Sequence, residues 1–201
     1  MSSASTDGRP APPAEGRAAI VDAMLGLLND GRTEPSLTDV AARVGMSADE
    51  VLGHFDGADD LRREVIGLHL HRVRSLLDSA GDPRSPLADR VRHYVDARVE
   101  FNASMAGTGR AAHDRGQVPE IAAAVEEVRQ MWREHTRTQF GAELAPLSPA
   151  DADAVVTTVE QMFRFGVWDE LVSVQGRSTE QIRRAWTRQL LAQLPAPEPR
   201  P

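Results

Sequence analysis

The 201-residue sequence has no cysteine and no lysine, and aromatic residues make up only 4% of it. Without cysteine, disulfide bonds and thiolate metal sites are excluded. No apolar run is long enough to span a membrane, and the first 17 residues lack the apolar core of a signal peptide. A cytoplasmic protein is therefore expected.

Negative charge is in excess and unevenly distributed along the chain. The net charge is −7, from 30 acidic residues against 23 arginines. Residues 1–66 contain twelve of the acids and six of the arginines, so this third alone carries −6. Because affinity for nucleic acid depends mainly on neutralising phosphates, this distribution opposes DNA binding by the N-terminal third.

Apolar residues recur at helical spacing between the two ends of the chain, which predicts an all-α protein. Residues 1–13 and 195–201 are expected to be disordered because they are rich in Pro, Ser and Ala. Between them, residues 14–58 are predicted to form one domain and residues 59–194 a second.

Serine, proline and glycine residues predict where individual helices begin and end. A long helix is expected over residues 59–79 and further helices from about 87 to 105 and from 119 to 140. Ser148-Pro149 opens a helix whose apolar stripe continues to Val174, and Ser178 caps the last one. Residues 106–118, which contain three glycines, are expected to form a loop with at most one helical turn.

The most informative segment is SLTDVAARVGMSADEVLGHF, residues 36–55. Ser36 and Ser47 can each cap a short helix, and Gly45 between them tolerates the positive φ of a tight turn. Ala41 lets two steeply crossing helices touch and precedes Gly45 by the four residues typical of a helix-turn-helix. A helical hairpin with a glycine turn is the alternative for this spacing.

Residues 16–61 resemble the DNA-binding head of the tetracycline-repressor (TetR) family. The resemblance rests on an apolar stripe, a glycine break, a capping serine, and the segments Asp39-Val40-Ala41, Val44-Gly45-Met46-Ser47, His54-Phe55 and Leu61. It implies an all-α fold with an N-terminal three-helix helix-turn-helix domain and a C-terminal helical ligand-binding and dimerisation domain. Residues 164–194 look like the final two helices, which pair two subunits.

The resemblance also implies which residues meet DNA. Ser36 would place the N-terminus of its helix on a phosphate, with Thr38, Arg43 and His54 near the sugar-phosphate backbone. Two copies would read a palindromic operator. The residues facing the major groove would be Ser47, Ala48, Asp49, Glu50 and Gly53.

The head departs from the family pattern at several positions, most of which make it less positively charged. Leu52 stands where the family usually has tyrosine, and Ala58 where it usually has a lysine that reaches a phosphate. Asp49 and Glu50 are either first-turn acids favoured by the helix dipole or signs of a head that no longer binds DNA. On the first interpretation, the positive charge comes from Arg9, Arg17, Arg32 and Arg43.

Eight of the nine aromatic residues follow residue 90. Family members bind small molecules between the helices of this region, and such pockets are mostly apolar with a few polar groups. For each polar candidate a solvated helix face is the alternative, and Glu160 and Arg164 have the spacing of an ordinary ion pair. The residues predicted to line the pocket are Arg98, Phe101, Trp132, His135, Glu160, Phe163, Arg164 and Trp168.

The apolar stripes at 155–174 and 182–194 exceed what one subunit needs to cover its own core. They predict that two subunits pair through a four-helix interface. If Trp186 lies in that seam, Trp186→Glu should favour monomers.

No nucleophile motif, carboxylate pair or metal-ligand spacing emerges from the sequence, and no cofactor is expected. His113-Asp114 could orient an imidazole for acid–base chemistry, although a polar loop needs no such role. The sequence predicts a ligand-responsive transcriptional regulator, a repressor that binds its operator as a homodimer. The alternative is a protein of the same fold that has lost DNA binding and binds or transforms a small molecule.

Overall fold

The computed structural model describes residues 13–32, 34–79, 81–114 and 118–195. All regular elements in these ranges are helical, as the sequence predicts. The chain divides into two compact units, Met1–Val65 and Ile66–Pro201. The predicted tails lie almost entirely outside the described residues. Among the described helices, none combines the length and apolar character needed to cross a membrane.

The N-terminal unit contains α1 (Pro13–Asn29), α2 (Leu37–Val44), α3 (Ala48–Gly53) and the start of α4 (Ala58–Asp78). Ser36 and Ser47 begin α2 and α3 with complete capping boxes. Each serine hydroxyl accepts a hydrogen bond from the N–H three residues on, and the carboxylate there accepts from the serine N–H. Both predicted caps are confirmed.

A tight turn joins α2 to α3. Gly45 adopts a φ of 72°, and the N–H of Met46 donates to the carbonyl of Ala41 at 3.0 Å. The positive φ is one that glycine adopts without steric cost. Behind the turn, the helices share one apolar core whose most enclosed residues are Ile20, Val40, Val51 and Leu61.

Arg17 on α1 connects the later parts of the N-terminal unit. Its guanidinium donates to the carbonyl of His54 at 2.6 Å and pairs with Glu64 at 2.5 Å. It also reaches Asp60 at 3.3 Å and lies 4.3 Å from the centre of the Phe55 ring. Because a guanidinium presents several donors in a rigid fork, one side chain holds α1 against the end of α3 and the first turns of α4.

The C-terminal unit is built around α5 (Leu87–Ser104), nine of whose residues are buried. Helix α5 packs against α11 (Thr179–Gln193), and α7 (Pro119–Gln139) packs against α9 (Pro149–Met162). The remaining elements are α6 (Ala106–Asp114), α8 (Gly141–Leu144), α10 (Phe165–Asp169) and a π-helical turn (Glu170–Val174).

The prediction of a loop over residues 106–118 is wrong for most of that segment, because residues 106–114 form α6. Gly109 lies directly under the ring of Phe165: a Cβ at position 109 would fall 2.6 Å from two ring carbons. The glycine therefore allows a close approach of an aromatic ring to a helix instead of breaking the helix.

The prediction that one helix carries the apolar stripe from Val155 to Val174 is also wrong. Helix α9 ends at Met162, and α10 starts only at Phe165. The side-chain amide of Asn102 donates to the carbonyl of Phe163 at 3.2 Å. This bond gives a partner to one of the carbonyls that a helix end leaves unpaired.

The apolar stripe on α11 covers the chain's own core. Ile182, Trp186 and Leu190 are at most 2% exposed within a single chain. The ring centroid of Trp186 lies 4.7 Å from that of Phe163. Trp186 is therefore a core residue of its own chain, and the idea that it lies in an intersubunit seam is wrong.

A buried ion pair joins α5 to α8. Both Nη atoms of Arg90 bind the carboxylate of Glu143, at 2.9 and 2.6 Å. The same guanidinium donates to the carbonyls of Gln139 and Ser85, the latter at 2.8 Å. The hydrogen bonds from Arg90 are the main reason that the pKa of Glu143 lies below its usual value.

We predict that Arg90→Met lowers the free energy of unfolding by about 3–5 kcal/mol, because it leaves the buried Glu143 carboxylate without a partner. Urea denaturation of the purified protein measures the change. The control is Arg92→Met on the same helix, where the pair with Asp89 is exposed and is worth less than about 1 kcal/mol. Equal losses in both variants would contradict the prediction.

Candidate functional site

Helix α3 has one buried and one exposed face. Val51 is fully enclosed in the core of the N-terminal unit, whereas Asp49, Glu50 and Gly53 are exposed and Ala48 is half-buried. A short second helix held by a tight turn, with its outer face free, is how helix-turn-helix proteins present a recognition helix to the major groove.

The carboxylate of Glu50 is engaged by its own helix. The backbone N–H of Ser47 donates to it at 2.7 Å, and the N–H of Glu50 donates to the Ser47 hydroxyl at 3.2 Å. The bond from the Ser47 backbone, followed by that from its hydroxyl, holds the pKa of Glu50 below its usual range. Ser36 and Asp39 form the matching pair at the start of α2, while Thr38 is exposed.

Arg43 and His54, predicted to lie near the DNA backbone, both contact α1. Arg43 pairs with Asp30 at 2.5 Å, and its guanidinium lies over Gly26, 3.2 Å from where a Cβ would stand. The imidazole of His54 lies against Gly16 so closely that a Cβ there would fall 2.4 Å from it. The two glycines of α1 make room for these side chains.

Every arginine that the structure describes in the N-terminal unit is paired with a carboxylate. A contact with DNA would therefore require a phosphate to replace a carboxylate that is already in place. Arg9 lies outside the described residues. The pairs are Arg17 with Asp60 and Glu64, Arg32 with Asp39, Arg43 with Asp30, Arg62 with Asp59, and Arg63 with Asp60.

The C-terminal unit contains a cluster of aromatic rings centred on Tyr94 of α5. His135 is stacked on Tyr94 with a centroid distance of 5.6 Å and an interplanar angle of 10°. The rings of Trp132 and Phe163 are inclined to Tyr94 at 73°, with centroid distances of 5.9 and 5.4 Å, and the Phe140 centroid lies at 5.4 Å. We call these five side chains, together with Phe101 and Arg98, the aromatic cluster.

Arg98 enters the aromatic cluster one turn after Tyr94. Its Cζ lies 4.4 Å from the ring centroid of Trp132 and 5.3 Å from that of Phe163. No described group accepts a hydrogen bond from it, and its Nε is completely enclosed. The indole N–H of Trp132 and Nε2 of His135 are also buried and have no hydrogen-bond partner in the described part of the chain. Burial lowers the pKa of Arg98.

Neither a model of a protein family nor a curated protein matches the sequence, but solved structures match the fold. A TetR-family transcriptional regulator from Streptomyces coelicolor aligns with a TM-score of 0.71 at 17% identity, over 90% of this chain and 80% of its own. A transcriptional regulator from Rhodococcus sp. Rha1 gives 0.61 at 20% identity, over 90% and 95%. The multidrug binding protein EbrR, in complex with imidazole, gives 0.59 at 16%, over 92% and 98%.

The chain has the TetR-family fold.

Within the TetR-family fold, five of the eight residues predicted to bind a ligand come together. Phe101 joins the aromatic cluster through Trp132, at a centroid distance of 5.8 Å. Trp168 packs instead against Phe165, also at 5.8 Å. The five that meet are Arg98, Phe101, Trp132, His135 and Phe163.

The two remaining predicted residues, Glu160 and Arg164, do not pair with each other. Glu160 binds Arg133 at 2.8 Å and Arg129 at 3.3 Å. Arg164 is exposed and donates to the side chain of Gln161 at 2.9 Å. Their spacing of four residues does not lead to contact because α9 ends between them.

Sequence reasoning missed Tyr94 and Thr136 as members of the site. The Tyr94 hydroxyl is hydrogen-bonded to Oγ1 of Thr136 at 2.8 Å. Tyr94 precedes Arg98 by four residues and Trp132 precedes Thr136 by four, so each pair shares a helix face. The four-residue spacing from Arg98 and from Trp132 could have placed Tyr94 and Thr136 in the candidate site.

The described ranges contain no group of three or more His, Asp or Glu side chains placed to hold a metal ion. The side chains of His113 and Asp114, considered above for acid–base chemistry, lie outside what the structure describes.

We predict that stability falls in acid partly because of two histidines, the buried His135 and the half-buried His69, whose Nε2 atom is enclosed. Burial is the main cause that lowers the pKa of His135 and of His69 to about 4. An unfolded histidine titrates near pH 6.5, so between pH 6.5 and 4 the unfolded chain binds protons that the folded chain does not. The free energy of unfolding then decreases with falling pH, by about 1–3 kcal/mol for each group.

Thermal unfolding of His135→Gln and His69→Gln between pH 7.5 and 4.5 measures this effect. Each variant should lose less Tm on acidification than the unaltered protein. His71→Gln, at an exposed position of α4, is the control and should leave the pH dependence unchanged. Parallel curves for all four proteins would contradict the prediction.

Proposed function

We propose that this protein is a ligand-responsive transcriptional regulator, a repressor that binds a palindromic operator as a homodimer. The observation that carries the proposal is the helix-turn-helix of α2 and α3: two capped helices, the Gly45 turn and an exposed outer face on α3. Each of these features serves the presentation of a recognition helix. The DNA-contacting residues would be the exposed ones of α3 together with the N-terminus of α2 at Ser36.

The aromatic cluster supports a small-molecule ligand. Sites for such ligands consist of apolar rings with a few placed polar groups. This cluster combines rings with three buried polar groups for which no described residue is a hydrogen-bond partner. A protein of similar fold is described as a multidrug binding protein in complex with imidazole. Ligand binding would lower operator affinity by favouring a state of the dimer whose two heads no longer match the half-site spacing.

Dimerisation would use apolar residues that a single chain leaves exposed. Leu191 on α11 is 39% exposed, and Val174 in the π-helical turn is 72% exposed. Apolar side chains of this size on the last helices can pair with their copies across a two-fold axis.

We predict that Leu191→Glu converts a dimer into a folded monomer at micromolar concentration, because the charge would be buried in the interface. Sedimentation velocity and circular dichroism check the two parts of this outcome. Trp186→Glu is the contrasting variant: it should unfold the C-terminal unit, because Trp186 lies in the core of its own chain. An unaltered protein that sediments as a monomer would contradict the dimer.

A second function is favoured by one specific observation. All five described arginines of the N-terminal unit are paired with carboxylates, and residues 1–66 carry a net charge of −6. This pattern suits a protein that keeps the TetR-family fold and binds or transforms a small molecule without binding DNA.

Selection of bound sequences from random duplex DNA, with the purified full chain at low salt, tests the proposal. Enrichment of a palindrome supports the regulator. Failure to enrich any sequence, from a protein that still binds small molecules, supports the second function.

We predict a shallow salt dependence of DNA binding, because each phosphate contact adds about 0.9 to the slope and few are available. The double variant Asp49→Ala, Glu50→Gln should tighten binding to any duplex by about tenfold at low salt. Glutamine keeps the capping box of α3, so the change removes charge without removing the cap. Mobility shifts over a salt series measure both quantities.

Asp22→Asn is the control, since Asp22 is exposed on α1 and outside the helix-turn-helix. A double variant that loses discrimination between sequences without gaining affinity would show that one carboxylate reads cytosine. Nanomolar operator binding by the unaltered protein at physiological salt would contradict the predicted weakness of the head.

A further inference from the structure

Two arginines of α5 are equally buried and differ completely in their partners. Arg90 and Arg98 are each 5% exposed and stand two turns apart on the helix. Arg90 donates to two carbonyls and to both oxygens of Glu143. Arg98 makes no hydrogen bond or ion pair with any residue that the structure describes.

The rings around Arg98 do not replace a counterion. Trp132 and Phe163 attract the guanidinium through their faces, but this attraction is weaker than the cost of taking a guanidinium out of water. Buried charges in proteins are paired as a rule. Among the residues that the structure describes, Arg98 therefore has no partner of opposite charge.

The carboxylate that influences Arg98 electrostatically is already balanced by other arginines. Glu160, which acts on Arg98 through space, binds Arg133 at 2.8 Å and Arg129 at 3.3 Å. Arg133 also binds Asp153 at 2.6 Å, so these groups form a network of their own. None of their carboxylates is left for Arg98.

The other unpartnered groups of the aromatic cluster fit the same kind of ligand. The indole of Trp132 offers a buried N–H, and the imidazole of His135 offers a buried nitrogen whose hydrogen bond is unmade. An indole N–H is a donor only, and a neutral imidazole can donate from either nitrogen. A group with two acceptor oxygens and one negative charge could use these donors together with the guanidinium.

We propose that Arg98 anchors the carboxylate of a monoanionic organic acid whose apolar body packs against the rings of the aromatic cluster. A single carboxylate balances a single guanidinium, whereas a phosphate dianion would need a second cation. The proposal names the ligand class of the regulator described above and so rests on the proposed function, because it requires the C-terminal unit to bind a small molecule.

The test compares carboxylates with their neutral amides. Benzoate, 3-phenylpropanoate and 1-naphthoate, each with the corresponding amide, are titrated into the full chain with Tm and isothermal calorimetry as readouts. At least one acid should raise the Tm in proportion to its occupancy, and its amide should bind at least tenfold more weakly. Acid and amide binding equally, or no acid binding at millimolar concentration, would overturn the proposal.

Arg98→Met separates a ligand anchor from a structural residue. Methionine fills a similar volume without charge, so the ligand-free variant should have a Tm equal to or above that of the unaltered protein and should lose the response to the acid. Arg90→Met, the matched variant on the same helix, should have a lower Tm. A fall in Tm for Arg98→Met like that for Arg90→Met, or an unchanged response to the acid, would overturn the proposal.

If no acid binds, a thermal screen with neutral and cationic compounds shows whether only the carboxylate proposal has failed or the proposed function as well. If those compounds stabilise the protein and no acid does, the ligand-responsive regulator remains supported, and only the proposal that the ligand is a carboxylate is refuted. Stabilisation by no compound of any charge would count against both.

Discussion

The packing of the C-terminal unit depends on how buried guanidinium groups are compensated. Taking such a group out of water costs several kcal/mol even after relaxation, and the cost is offset only by well-placed hydrogen bonds and an opposite charge. Arg90 meets this condition through a bidentate bond to Glu143 and two backbone carbonyls. Three of its four bonds fix the start of α5 against the end of α7 and against α8, and thereby position Tyr94 one turn further along.

In the N-terminal unit, arginine side chains are paired with carboxylates at the surface, where an ion pair contributes much less to stability. The ion pairs of Arg32 and Arg43 are exposed, and pairs of this kind are each worth about 0–1 kcal/mol. A phosphate can replace a carboxylate at such a site at small cost, so pairing within the head does not exclude DNA. It does remove the free positive charge that would attract DNA from a distance.

The elements that depend on local chemistry could be predicted from the sequence. Ser36, Ser47 and Ser178 begin helices through capping boxes, because a cap involves only the next three residues. The turn at Gly45 was predictable for the same reason: the positive φ is a property of one position. The helix-turn-helix and the helical fold follow from these signals and from apolar periodicity.

What could not be predicted depends on residues that are distant in sequence. Gly109 signals a loop when only its neighbours are considered, yet it accommodates Phe165, 56 positions later. Nothing in the sequence around Arg90 and Arg98 shows that one has a carboxylate partner and the other has none, because Glu143 is 53 residues from Arg90. Five of the eight predicted ligand residues meet because they share inward helix faces; Arg164 does not, because α9 ends before it.

The end of α9 is what completes the surroundings of Arg98. A helix that stops leaves its last carbonyls without intrahelical donors, and burial makes an unpaired carbonyl costly. Asn102, one turn after Arg98 on α5, donates to the carbonyl of Phe163. The same bond therefore stabilises the helix end and holds the Phe163 ring 5.3 Å from the guanidinium. Had α9 continued as the periodicity predicts, the Phe163 carbonyl would be occupied within the helix, and Asn102 would have no such acceptor with which to fix the ring.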